Sequence, residues 1–232
     1  MTMLLEHKNI VIFSSPRTGT KLLAKILEDF GYHNRGEWFS VLSTEIKDDK
    51  PVRREHHLNG MMPLPERQFK YLGEFIRRNE IYKRTDKSVV TIWPEYLLEF
   101  PFMLYEFGDY HWVRVRRDPW QQMLSWVISG LNANFDGTKT SVPINFNEAF
   151  FRKTYWDYYK VCGLQDWLVS NKSATIIDFD ELISGKSAVF GEHYSVKSLD
   201  EHASLESLVE NLDEVKQWFT LLEENRLSFL NK

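Results

Sequence analysis

Cysteine is all but missing: Cys162 is the only one in 232 residues. A lone thiol excludes an intrachain disulfide and fits a reducing compartment, and it reads as a small buried hydrophobe rather than a nucleophile. Long apolar runs are missing too. Met1 to Lys8 carries only a three-residue apolar patch, too short for a signal-peptide core or a membrane span, so a cytoplasmic location without membrane attachment is expected. Neither sign of charge is in excess. With 29 Lys and Arg against 33 Asp and Glu, the formal net charge is -4, which argues against a whole-chain polyanion binder; no nucleic-acid partner is expected. A local basic pocket for one phosphorylated ligand stays compatible with that balance. No internal repeat or low-complexity tract is found.

What the chain does have is a globular balance, 43% apolar and 27% charged, on a length that suits one domain over residues 1–232. Asn9 to Phe13 (NIVIF) predicts a buried strand. Leu22, Leu23, Ile26, Leu27 and Phe30 recur at helical spacing after it, with Gly31 where a helix terminates. Tyr32 to Pro65 is irregular and charged and reads as solvated loop, a lid or an acceptor-facing region. Glu66 to Asn79 has a helical pattern, Ser88 to Trp93 (SVVTIW) predicts a second buried strand, and Pro94 opens a helix towards Phe107. Tyr110 to Arg116 is a third strand, followed by Asp118 as N-cap and Pro119 as first residue of a helix reaching Ser129. Asn132 to Pro143 has loop composition. An aromatic helix over about Phe146 to Ser170, a strand at Ala174 to Asp178, a helical turn at Glu181 to Ile183 and an amphipathic helix from Leu205 to Leu227 complete the chain. Short apolar strands alternating with helices imply an α/β fold, a parallel sheet with helices on both faces.

The first strand-to-helix junction concentrates anion-binding chemistry. Ser14-Ser15-Pro16-Arg17-Thr18-Gly19-Thr20-Lys21 lies where unpaired amides and the positive end of a helix face outward. Gly19 allows close backbone approach, Thr18 and Thr20 add hydroxyls, and Arg17 and Lys21 add positive charge. A polar turn capped by threonine is the other reading of this segment. A Walker A loop is not matched, because Thr20 separates Gly19 from Lys21 and no hydroxyl residue follows the lysine. Pro16 to Thr20 does resemble the P-loop-like 5'-phosphosulfate loop of sulfotransferases that use 3'-phosphoadenosine-5'-phosphosulfate (PAPS), a Pro-Lys/Arg-Ser/Thr-Gly-Thr run.

The second junction carries a second likeness to that family: an arginine at a strand end, a proline two residues on and a serine eight residues after the arginine, matched by Arg117, Pro119 and Ser125. Physically, an arginine leaving the carboxyl end of a strand can clamp a phosphate bidentately, and a helix serine can donate a further bond. Taken alone, the same residues read more readily as a capped helix with a surface arginine and a helical serine. Thr175 to Leu182 (TIIDFDEL) is similar to a family strand ending in an acidic turn. The chain departs from the animal cytosolic members at Leu22, where they have an adenine-stacking tryptophan, and lacks their late Arg-Lys-Gly segment, with only Lys197 in that region. It looks most like the small soluble bacterial and phage-encoded members.

The resemblance implies PAPS as cofactor, its desulfated form PAP as product, and transfer of a sulfuryl group to a small-molecule, glycan or lipid acceptor, with a hydroxyl as the expected group and no metal required. Cofactor contacts fall on Pro16, Arg17, Thr18, Gly19, Thr20, Lys21, Arg117 and Ser125. Arg17 would also neutralise the leaving phosphate, or else serve only a loop salt bridge. Glu37, in Arg35-Gly36-Glu37-Trp38-Phe39, resembles the acidic base of several branches and can equally be a surface residue; His33, His56 and His57 are the alternatives. Other members use a lysine and a histidine on a strand, and Thr91-Ile92-Trp93 has neither. Aromatics Phe150, Phe151, Tyr155, Trp156, Tyr158 and Tyr159 fit a core stripe or an acceptor pocket. Two rivals remain open: a P-loop kinase needing Mg2+, and a PAP- or sulfate-binding module without catalysis.

Overall fold

The computed structural model describes residues 4–15, 17–37, 44–47, 50–53, 87–94, 104, 107–131, 143–171, 173–191, 194 and 205–230. The chain divides into two compact units, Met1–Arg116 with Leu164–Val196, and Arg117–Gly163 with Lys197–Lys232.

The first unit is an α/β fold built on a five-stranded parallel sheet. Its strands are β1 (Asn9–Phe13), β2 (His33–Glu37), β5 (Ser88–Ile92), β6 (His111–Arg116) and β7 (Ala174–Asp178), ordered β2-β5-β1-β6-β7. The apolar runs NIVIF and SVVTI take the inner positions and are buried almost throughout, as a sheet covered on both faces requires. Helix α1 (Thr20–Asp29) sets Leu23, Ala24, Ile26 and Leu27 against Ile10, Ile12, Val89, Val113, Val115 and Ile177. Gly31 ends it as expected: with φ at +85°, the amides of Gly31 and Tyr32 return to the carbonyls of Glu28 and Leu27, the double bond pattern of a left-handed helix stop.

On the opposite face Phe13 packs against Trp112, with ring centroids 5.5 Å apart. There the last residues of α3 (Glu148–Asn171) belong to this unit, and buried Gln165 donates Nε2 to the Phe13 carbonyl at 3.0 Å. Arg114 bonds Asp166 from the same side.

Two segments expected as loop are strands. His33–Glu37 (HNRGE) has no apolar alternation; backbone pairing with β5 makes it a strand, and a register irregularity between Asn34 and Glu37 coincides with Gly36 at φ +77° and its amide bonded to Asn34 Oδ1. Thr44–Lys47 (β3) and Lys50–Arg53 (β4) form an antiparallel ribbon in which Lys47 faces Lys50, the spacing of a two-residue hairpin. The helix expected over Glu66 to Asn79, most of that following Pro94, and the loop from Asn132 lie outside the described residues.

At the amino end of the sheet His7 and His111 stack with centroids 3.7 Å apart, 6° from parallel, and His111 Nε2 lies 2.8 Å from Thr175 Oγ1. Burial, and secondarily the neighbouring His7, lowers the pKa of His111 from its ordinary 6.5. The unfolded chain therefore takes up protons at a pH where the fold resists them, so this contribution to stability is present above about pH 6.5 and lost on acidification towards the lower folded value. Chemical denaturation from about pH 7.5 to 5.5 is expected to show falling stability, with a shallower fall in His111→Gln; an equal slope in both proteins would remove His111 as a source.

The second unit packs α2 (Pro119–Leu131), α3 as far as Gly163, a 3-10 turn at Leu205–Leu208 and α5 (Leu212–Leu230) around a core including Met123, Leu124, Val127, Phe151, Tyr155, Tyr158, Val215 and Leu222. Phe151, Tyr155 and Tyr158 are thus core residues, with Tyr159 and Cys162 packed against them, while Phe150 and Trp156 are exposed. The single closing helix expected from Leu205 is instead broken before Leu212. Asn211 sits at the break: its carbonyl accepts from the Val215 amide as the helix starts, while its side chain accepts from the Phe146 amide, donates to the Phe146 carbonyl and donates to the Glu214 carboxylate, which ties this point of the chain to Phe146.

Candidate active site

All five strands are parallel, so their carboxyl ends share one edge of the sheet, the edge where α/β folds bind ligands. Along it stand, in spatial order, Glu37 ending β2, Trp93 after β5, the Ser14–Lys21 loop after β1, Arg116 ending β6 and Asp178 ending β7.

The loop is anchored at its start. Ser14, fully buried, accepts a hydrogen bond from the Val115 amide at 2.6 Å and donates to the Val115 carbonyl at 3.3 Å, tying β1 to β6 where the loop leaves the sheet. Loss of that hydroxyl leaves a buried backbone amide without its partner, so Ser14→Ala is expected to cost about 2 kcal/mol in urea unfolding, roughly an eighth to two-fifths of a typical domain's stability. A cost below about 0.5 kcal/mol would show that the tie contributes little.

At Arg17 and Gly19 the backbone takes the left-handed conformation. Arg17 has φ +69°, the only non-glycine residue with positive φ among those described, and Gly19 has φ +97°. Thr18 between them is buried and donates its hydroxyl to the Ser15 carbonyl at 2.9 Å. Backbone of alternating hand is the kind of turn in which successive amides can converge on an anion. Gly19 is also the N-cap of α1 and offers no side-chain bond to its first turn. Thr20 is buried and Lys21 exposed. Partial burial pushes the pKa of Arg17 below its ordinary value, yet a guanidinium stays charged.

Gly19 is required twice over. Its φ disfavours any side chain, and an ideal Cβ would sit 2.5 Å from Cδ2 and 2.7 Å from Cε2 of Phe179. Phe179 begins α4 (Phe179–Ile183), directly after β7.

Sequence reasoning passed over Arg116 and Asp178. They are register partners on β6 and β7, joined by a bidentate ion pair with Nε to Oδ1 at 2.6 Å and Nη2 to Oδ2 at 2.9 Å. Hydrogen bonding between them raises the pKa of Arg116 and lowers that of Asp178. Opposite charges at the ends of two strands were the available signal; parallel register, not visible in a single sequence, turns them into a pair.

No family model matches this chain, and no curated protein matches it. The site rests on its own geometry.

Pro16, His56 and His57 lie outside the described residues. Glu37 is at the carboxyl edge with the loop; β5 alone separates its strand from β1, so the two strand ends are about 10 Å apart by ordinary strand spacing. His33 starts β2 opposite Ser88, at the other edge of the sheet, which removes it as a base acting beside the loop. Arg117 follows β6 and opens the second unit. Asp118 caps α2 as expected, accepting from the Gln121 amide at 2.9 Å, and Ser125 is buried on that helix at 4% exposure. Among the described residues no group of three or more His, Cys, Asp and Glu could hold a metal ion, and no helix is long and apolar enough to cross a membrane.

Proposed function

We propose that the chain is a PAPS-dependent sulfotransferase, a reading carried by one observation: a positive-φ arginine and a left-handed glycine N-cap stand between β1 and α1 at the carboxyl edge of a parallel sheet, within the segment that resembles the 5'-phosphosulfate loop. The loop amides, that of Thr18 included, with Thr20 and Lys21 would hold the 5'-phosphosulfate, while the Thr18 hydroxyl, committed to the Ser15 carbonyl, shapes the loop; Arg117 and Ser125 are assigned the 3'-phosphate from the second sequence likeness.

In the reaction an acceptor hydroxyl oxygen forms a bond to sulfur while the bond from sulfur to the bridging oxygen breaks. PAP leaves with that electron pair, the sulfuryl group becomes a sulfate ester, and the acceptor proton passes to a base. Arg17 neutralises the charge that grows on the bridging oxygen. Glu37, on the same sheet edge, takes the proton. Positioning and electrostatics carry such a transfer. The test is transfer of labelled sulfuryl from PAPS to a panel of sugar, phenol and lipid hydroxyls. Label on any acceptor, dependent on the protein, supports the reading; PAP binding with no transfer to any hydroxyl would reduce the chain to a binding module.

A further inference from the structure

The contact between Gly19 and Phe179 links the loop to an element far from it in sequence. We infer that Phe179 is a positioning residue for the anion loop: its ring fills the space beside Gly19 and holds that residue in the left-handed conformation that aims the loop amides. The inference rests on the loop being an anion site, as the proposed function has it, but does not require the anion to be PAPS.

The ring can do this because α4 is fastened on every side. Before it, Asp178 is locked to Arg116 by the bidentate pair. Within it, Leu182 is fully buried in the core beneath α1. After it, the Tyr194 hydroxyl bonds the carbonyls of Glu181 at 3.0 Å and Leu182 at 3.1 Å, and the Ser187 hydroxyl donates to the Glu181 carboxylate at 3.0 Å. A short helix so tied presents Phe179 as a fixed wall, itself packed against the same core. On the other side of the contact Gly19 has no side chain to resist rotation, and a glycine left to itself visits many backbone states. Rigid support of this kind is what keeps a binding loop in its productive geometry.

The test is a double-mutant cycle on the full chain with Gly19→Ala and Phe179→Ala, read as affinity for inorganic pyrophosphate and for PAP, with the thermal midpoint of each protein recorded. Phe179→Ala is expected to weaken pyrophosphate binding about ten-fold at a temperature where the protein is folded, and Phe179→Leu to weaken it less. Gly19→Ala should lose affinity steeply when Phe179 is present and by a smaller factor when position 179 is alanine, because the steric conflict is then gone. If Phe179→Ala does not fold, the same comparison is made in Phe179→Leu. Unchanged affinity on removing the ring, or an equal loss from Gly19→Ala in both backgrounds, overturns the inference. Pyrophosphate binding without PAP binding would sink the sulfotransferase reading and leave the cycle fully readable; binding of neither would sink both.

Discussion

Arg17→Ala is expected to lower PAPS-dependent transfer by about 10³-fold, the scale of removing one preorganised charge from a developing oxyanion. The expectation draws on the backbone as much as on the charge. Arg17 adopts φ +69°, a conformation that costs a residue with a Cβ about 1–2 kcal/mol and that glycine adopts freely. Alanine carries the same penalty as arginine, so Arg17→Ala should fold with a thermal midpoint close to that of the parent. Arg17→Gly removes the penalty and is expected to gain about 1 kcal/mol while losing activity to the same extent. A more stable and inactive variant would mean that the strain is retained for the side chain. Near-full activity in either variant removes Arg17 from the mechanism.

Glu37→Gln is expected to lower turnover by about 10²-fold, within the range for loss of a general base, with PAP affinity changed less than about two-fold. Glutamine keeps the shape and loses the ability to accept a proton, so the chemical step is affected rather than nucleotide binding. Position supports the choice: Glu37 closes β2 on the edge that carries the loop, whereas His33 begins the same strand at the far edge. Turnover equal to the parent would transfer the base role to another residue. Equal losses in turnover and PAP affinity would instead mark Glu37 as part of the nucleotide site.

How much of this was legible in the sequence depended on whether an element advertises itself through apolar pattern. NIVIF, SVVTI and ATIID are buried or half-buried strands, and their runs gave them away to within a residue. The end of α1 was readable because Gly31 is the residue a left-handed stop needs. HNRGE was not readable, because that strand exists through backbone pairing to β5 and through a glycine irregularity, neither of which leaves an apolar trace. Nor was the break before α5, where the polar side chain of Asn211 is recruited by Phe146, a residue remote in sequence. In the site, the loop residues were legible as a motif, because their chemistry is local. The Phe179 wall and the Arg116–Asp178 pair were not, since both depend on which strand lies beside which.

Calorimetric titration of the full chain with PAP and, separately, with Mg-ATP tests the anion loop's assignment most directly. One molecule of PAP is expected to bind without added Mg2+, and Arg17→Ala should weaken it. Heat from Mg-ATP with none from PAP would contradict a PAPS-dependent transferase and turn the same loop over to phosphoryl transfer.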